Sequence, residues 1–334
     1  FMAIGLPWLH AQTTNNPDPE FEQALIDLEI DTDATLNGEV LTADIDTIEQ
    51  LNVSNRNIIN LTGIEDFVNL TSLNCAGNRI ANLNVGANTN LRTLICSSNQ
   101  LTTLDVTSNA SLNTLLCSSN ELTGLDLTQS DSLLLLDCSG NQLTTLDVSM
   151  NELLENLSCS ANKLTNLDVS QNDSLVALSC SNNLLTQLDV VSNIKLERLI
   201  CASNQLRTLD VSANTALVTL DYSSNLLVSH DLSSNTQLGT LNCSDNLLRY
   251  LNISNGNNAA LSNFNAKNNP LLSCIQVDDP AETGPEWEKD NTATYTTSCS
   301  PITTLIPDNN FELALIALGV DAGPPDGYVI TDSI

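Results

Sequence analysis

Apolar and polar positions along most of this chain follow one fixed period. Residues 94–115 read L-I-C-S-S-N-Q-L-T-T-L-D-V-T-S-N-A-S-L-N-T-L, and the pattern returns every 21 residues. One row runs Cys75, Cys96, Cys117, Cys138, Cys159, Cys180, Cys201, Tyr222 and Cys243. A second, half a period away, runs Val85, Val106, Leu127, Val148, Val169, Val190, Val211, Leu232 and Ile253. A constant period of this size marks a solenoid.

Each period holds two half-units of the form L-x-x-L-x-(C/V), ten and eleven residues apart. In Leu94-Ile95-Cys96 and Leu104-Asp105-Val106 the outer residues are apolar and the middle one is variable or charged, the alternation of a half-buried strand. No helix of useful length fits between them. The expectation is a mainly β solenoid with two short strands per 21-residue coil. About six apolar side chains per coil turn inward, at about 2 kcal/mol each. Ordering the backbone costs about 1–2 kcal/mol per residue. A lone coil therefore cannot fold, and stability comes from stacking. The asparagine three places after each cysteine, from Asn78 through Asn246, suits a tight turn whose side chain bonds the backbone of a neighbouring coil.

The repeat L-x-x-L-x-C-x-x-N-x-L-x-x-L-D-V-x-x-N resembles the leucine-rich repeat family, in its nested 21-residue bacterial class. The likeness covers residues 48–272, and the first coil, 22 residues long without the cysteine, looks like the repeat of internalin-type proteins. The resemblance implies a secreted or cell-surface bacterial protein that binds a protein partner through the face of the solenoid.

The ends read differently. Residues 1–11 are mostly apolar and close on Leu9-His10-Ala11 before polar Gln12-Thr13-Thr14, as the remnant of a signal peptide would. Residues 12–47 form an expected N-terminal cap. Its helix opens on Asp18 as N-cap and Pro19, with Phe21, Ala24, Leu25 and Leu28 on one face. Residues 273–300 break the pattern, with Pro280, Gly284, Pro285 and Trp287 between Cys274 and Cys299. This segment is similar to the cysteine-closed C-terminal caps of secreted leucine-rich repeat proteins, which implies a Cys274–Cys299 disulfide in an oxidising compartment. Residues 301–334 echo the first cap: Pro307-Asp308 and Phe311 repeat Pro17-Asp18 and Phe21, and Val329-Ile330-Thr331 repeats Val40-Leu41-Thr42. A second capping module is expected to begin there.

Charge narrows the partners. Ten Lys plus Arg stand against forty Asp plus Glu, a formal charge of −30, which repels nucleic acid and anionic membrane surfaces. No run after the first residues is long enough to span a membrane. The eight ladder cysteines lack the paired spacing of zinc sites and read as small buried hydrophobes. Asp105, Asp126, Asp147, Asp168, Asp189, Asp210 and Asp231 form an acidic column. Two things could offset their repulsion: hydroxyls two residues on, such as Ser149, Ser170 and Ser212, or a cation or cationic ligand. Asp31 and Asp33 lie in a loop with a partial, misordered calcium pattern.

Tyr222 and His230 replace a Cys and a Leu in one coil, and a compensating buried hydrogen bond is expected. His230 is the only histidine outside residues 1–11, so no Ser-His-Asp or Cys-His arrangement can be assembled elsewhere. The sequence predicts no enzyme, cofactor or metal site.

The outward residue is nearly uniform on the Asp half-unit but changes on the Cys half-unit: Asn74, Ile95, Leu116, Asp137, Ser158, Ser179, Ile200, Asp221, Asn242. Ile95, Leu116, Leu134 and Leu135, with Asp137 at the edge, form an expected apolar contact patch for a protein ligand. Two other roles compete: a structural spacer in a multi-module surface protein, and a polysaccharide-binding or polysaccharide-degrading solenoid. A glycan reader needs exposed aromatics, and the regular coils offer only Tyr222 and Tyr250.

Overall fold

The computed structural model describes residues 12–299 together with 303–305, 311, 313–315 and 328–330. The expected signal-peptide remnant lies outside the described residues. The chain divides into two compact units, the first ending at Leu185 and the second starting at Thr186.

The first unit opens with the cap. β1 (Thr13–Asn15) pairs antiparallel with β2 (Glu39–Leu41), and α1 (Pro19–Asp27) lies between them in sequence. One carboxylate oxygen of Asp18 caps the helix, accepting from Glu20 N at 2.9 Å and Phe21 N at 3.2 Å. The other accepts from Ile59 N at 2.7 Å and Asn60 N at 2.8 Å, tying the helix to the first coil. Phe21, Ala24 and Leu25 are buried, with Phe21 stacked on Phe67 at 6.4 Å. Leu28, expected on the same face, instead ends the helix and is 41% exposed. After the short α2 (Thr42–Ile45) come seven parallel strands, each paired with the next. They are β3 (Gln50–Asn52), β4 (Ser72–Asn74), β5 (Thr93–Ile95), β6 (Thr114–Leu116), β7 (Leu135–Asp137), β8 (Asn156–Ser158) and β9 (Ala177–Ser179).

In the second unit the strands are β10 (Arg198–Ile200), β11 (Thr219–Asp221), β12 (Ser229–Asp231), β13 (Thr240–Asn242), β14 (Tyr250–Asn252), β15 (Asn263–Ala266), β16 (Cys274–Gln276), β17 (Glu288–Lys289) and β18 (Thr294–Thr296). β10, β11, β13, β15 and β17 pair in parallel on the Cys side. β12, β14, β16 and β18 pair in parallel on the other side.

The interior is the predicted one. Leu94, Cys96, Leu101, Val106 and Leu112 are fully buried, with Leu104 6% exposed. Two strands per coil, however, hold only from β12 onward. Upstream, the Asp half-unit contains a single isolated bridge, Asn84 to Asp105. A second row of buried asparagines closes the turn at the end of that half-unit. Asn109 Nδ2 donates to Val85 O at 3.0 Å and to Asn88 O at 2.9 Å, so a side chain occupies the carbonyl. That rung ends at Asn255, which reaches only Asn235 O, and there Leu232 N takes Asn252 O at 2.8 Å.

The C-terminal coil is closed by Trp287. Its ring lies 5.0 Å from Phe264 and 5.8 Å from Tyr295, and its Nε1 donates to Leu261 O at 2.8 Å. Cys274 and Cys299 are disulfide-bonded, Cα atoms 6.0 Å apart. Beyond them, β19 (Thr303–Leu305) pairs antiparallel with β20 (Tyr328–Ile330). Thr303 faces Ile330 just as Thr13 faces Leu41 in the first cap, and residues 311 and 313–315 between them are helical.

Candidate functional site

Two outer faces carry the candidate residues, and both rest on the asparagine ladder. Asn120 shows its form: Nδ2 donates to Cys96 O and Cys117 O, both at 3.0 Å, and Oδ1 accepts from Leu101 N at 3.0 Å. Each such amide fixes the turn after one strand against the coil before it. The outward residues of successive strands therefore stand in strict register.

On the Cys side, Ile95, Leu116 and Asp137 are direct neighbours across β5, β6 and β7, and Thr93, Thr114 and Leu135 form the parallel row. Leu134 precedes Leu135 and is 38% exposed, while Ile95, Leu116 and Leu135 are half-buried. The five expected patch residues thus come together on one surface. Asp137 gives one oxygen to Ser139, accepting from its N at 3.0 Å and its Oγ at 2.6 Å. It forms a fixed polar margin.

On the other side, every aspartate of the column uses Oδ1 to cap its own turn. Thr107 N reaches Asp105 at 3.0 Å, Val191 N reaches Asp189 at 3.0 Å, and Ser233 N reaches Asp231 at 2.9 Å. Hydroxyls add to this where the sequence supplies them, as from Thr107 at 2.6 Å and Ser149 at 2.7 Å. The carboxyls of Asp105 and Asp147 are held below their ordinary range by those hydroxyls and the adjoining N–H groups. For Asp126, Asp168 and Asp210 the backbone N–H is the larger cause. The turn geometry alone offsets much of the repulsion along the column.

The Asp31–Asp33 loop is organised by its own chain. Asp33 accepts from Thr35 N at 2.8 Å and Asn37 Nδ2 at 3.0 Å. Buried Glu22, which sequence reasoning passed over, accepts from Asn37 N and Gly38 N at 2.7 and 2.9 Å. Among the described residues no group of three or more His, Cys, Asp or Glu is placed to hold a metal ion.

The eight ladder cysteines are free and buried, and burial pushes the thiols of Cys75, Cys117 and Cys243 up to about 12. They act as packing groups. The Tyr222–His230 pair departs from expectation. The rings meet edge to face at 4.8 Å, yet neither Tyr222 Oη nor either imidazole nitrogen has a hydrogen-bond partner. The Cys243 thiol lies beside the hydroxyl and the Leu209 carbonyl beside the imidazole, the nearest polar groups to each. Tyr222 is also fully buried and offers a glycan no stacking surface.

No protein-family model and no curated protein matches the chain. Among solved structures, the functional domain of InlJ from Listeria monocytogenes, which includes a cysteine ladder, is 32% identical at a TM-score of 0.71, covering 86% of this chain and 72% of that one. This chain belongs to the internalin-like leucine-rich repeat proteins. A leucine-rich repeat protein of Leptospira interrogans shares the fold at 23% identity and a TM-score of 0.57, over 75% of this chain and 85% of that one. So does the ectodomain of the Arabidopsis thaliana receptor kinase GASSHO1/SCHENGEN3, in complex with Casparian strip integrity factor 2. It is 20% identical at a TM-score of 0.56, over 74% of this chain and 34% of that one. Within this internalin-like ladder Tyr222 is the one substitution between Cys75 and Cys243.

Proposed function

We propose that the chain is a secreted or surface-displayed bacterial binding module that recognises a protein partner through the Cys-side face of its first unit. The contact is centred on Ile95, Leu116, Leu134 and Leu135, with Asp137 at the margin. One observation carries this reading: a varied set of outward side chains, apolar at its centre and polar at its edge, on an inward frame that does not vary. That is the energetic layout of a specific protein contact. The Cys274–Cys299 disulfide supports an oxidising, extracytoplasmic setting. The complex formed by the GASSHO1/SCHENGEN3 ectodomain is an instance of this fold engaging another factor. The role is binding rather than catalysis and needs no cofactor.

The test is capture from surface-labelled host or neighbouring cells on the immobilised chain. Leu116→Asp with Leu135→Asp should abolish capture of the principal protein and leave the melting curve nearly unchanged. Capture that survives this pair but fails in Asp147→Asn with Asp168→Asn would move the site to the acidic column and overturn the assignment.

A further inference from the structure

Between Asn88 and Asn172 the second asparagine row is broken once. Asn88, Asn109, Asn151 and Asn172 hold it, but residue 130 is serine. The backbone there keeps the regular course. Ser130 N donates to Leu127 O at 3.0 Å and Leu133 N to Ser130 O at 3.1 Å, as Asn109 N does to Val106 O and Leu112 N to Asn109 O, both at 3.0 Å. The next rung also reaches it, since Asn151 Nδ2 donates to Ser130 O at 2.7 Å and to Leu127 O at 3.3 Å. Ser130 therefore stands at an amide's position with a side chain too short to do the amide's work.

The period tells which groups that amide would bridge. Asn109 Nδ2 spans Val85 O and Asn88 O, 24 and 21 residues before it. The same offsets from residue 130 fall on Val106 O and Asn109 O, which keep only their bonds from Asn109 N and Leu112 N. Ser130 is 1% exposed, and its Oγ has no hydrogen-bond partner. A buried hydroxyl left unmet costs about 1–3 kcal/mol, which alanine would avoid. Leu127, larger than the valine usual in its row, does not exclude an amide here. Leu232 carries the same side chain with Asn235 bonded normally to Val211 O and Asn214 O, both at 3.0 Å.

We propose that these three groups form the binding site of a single buried water molecule, which donates to Val106 O and Asn109 O and accepts from Ser130 Oγ. Two carbonyl acceptors facing one hydroxyl call for a small neutral ligand with two donors and a lone pair. Three hydrogen bonds are the usual complement of a buried water, which occupies about 30 Å3. The exchange of an amide for a water has a consequence for the fold. An amide is tethered to its coil, whereas a water leaves freely when the turn opens. Turn 127–133 is then the readiest point of local opening in this row. Leu134 and Leu135 follow it directly, so on the reading of the Cys-side face given above the contact edge adjoins the least tethered turn.

High-resolution crystals of the intact chain should show one ordered water within hydrogen-bond distance of Ser130 Oγ, Val106 O and Asn109 O. Native-state hydrogen exchange, corrected for intrinsic rates, gives a second readout. The amides of Ser130 and Leu133 should exchange at least about tenfold faster than those of Asn151 and Leu154, which bond equivalently to Val148 O and Asn151 O at 3.0 Å. In Ser130→Asn the amide should displace the water, the rate difference should fall below about twofold, and the denaturation midpoint should rise. Neither readout involves a partner, so both judge the water site apart from the proposed contact. Empty density between the three groups, equal exchange in the two wild-type turns, or a lowered midpoint in Ser130→Asn would overturn the site.

Discussion

Acid should loosen the second unit through one residue, and His230→Leu should remove the effect. In the fold the imidazole is held at about 4, chiefly by burial, with Asp231 and Asp210 pulling the other way. In the unfolded chain it titrates near 6.5. A group whose folded value is depressed stabilises fully above its unfolded value, and that stability is lost as pH falls toward the folded one. The window is therefore about pH 6.5 to 4, and at about 1.36 kcal/mol per pH unit the whole loss approaches ~3 kcal/mol. About 2 kcal/mol of it should appear between pH 7 and pH 5. The lowered carboxyls of the acidic column act with the same sign but below about pH 4, so the two contributions separate. The assay is urea unfolding at pH 7 and pH 5, wild type against His230→Leu, with hydrogen exchange at Leu232 and Asn252 to localise the change. An equal drop in both proteins, or none in the wild type, would refute the buried neutral imidazole.

Other perturbations follow from the ladders. Asn120→Ala removes donors to Cys96 O and Cys117 O and strands Leu101 N, and should cost roughly 3–5 kcal/mol. Asn109→Ala gives up two donated bonds from an amide whose oxygen already had no partner, and should cost about 2 kcal/mol; denaturation midpoints compare them, and a reversed order would contradict the geometry. Alkylation of the non-reduced native chain should leave the eight ladder thiols unmodified, with all eight reacting after unfolding and Cys274 and Cys299 only after reduction. Replacing Cys274 and Cys299 together by Ser should lower stability by about 2–4 kcal/mol, read by thermal melting.

The parts legible in the sequence are those that repeat. Nine coils write the Cys row, the Asn row and the Val row, so inward and outward positions could be assigned residue by residue. The extent of the second strand was not legible, because Leu104-Asp105-Val106 alternates like a strand, yet Asp105 forms only an isolated bridge to Asn84. Leu28 fits the helical face by spacing, but the chain turns there and exposes it. Trp287 and Glu22 act through partners far away in sequence, Leu261 O for the one and Asn37 N for the other, and no local periodicity announces such contacts. His230 was visible only as a misfit in its row. What surrounds the misfit required the coils to be stacked.

The ladder amides all reach backward. Asn99 donates to Cys75 O and accepts from Ile80 N, Asn120 to Cys96 O and from Leu101 N, and Asn141 to Cys117 O and from Leu122 N. A segment delivered amino end first therefore always meets its acceptors already assembled, beginning from the platform that Asp18 makes with Ile59 and Asn60. Growth from the other end would leave every newly placed asparagine waiting for a surface not yet built. The array has a direction of assembly written into its side chains, and it is the direction in which a ribosome or an export channel releases the polypeptide.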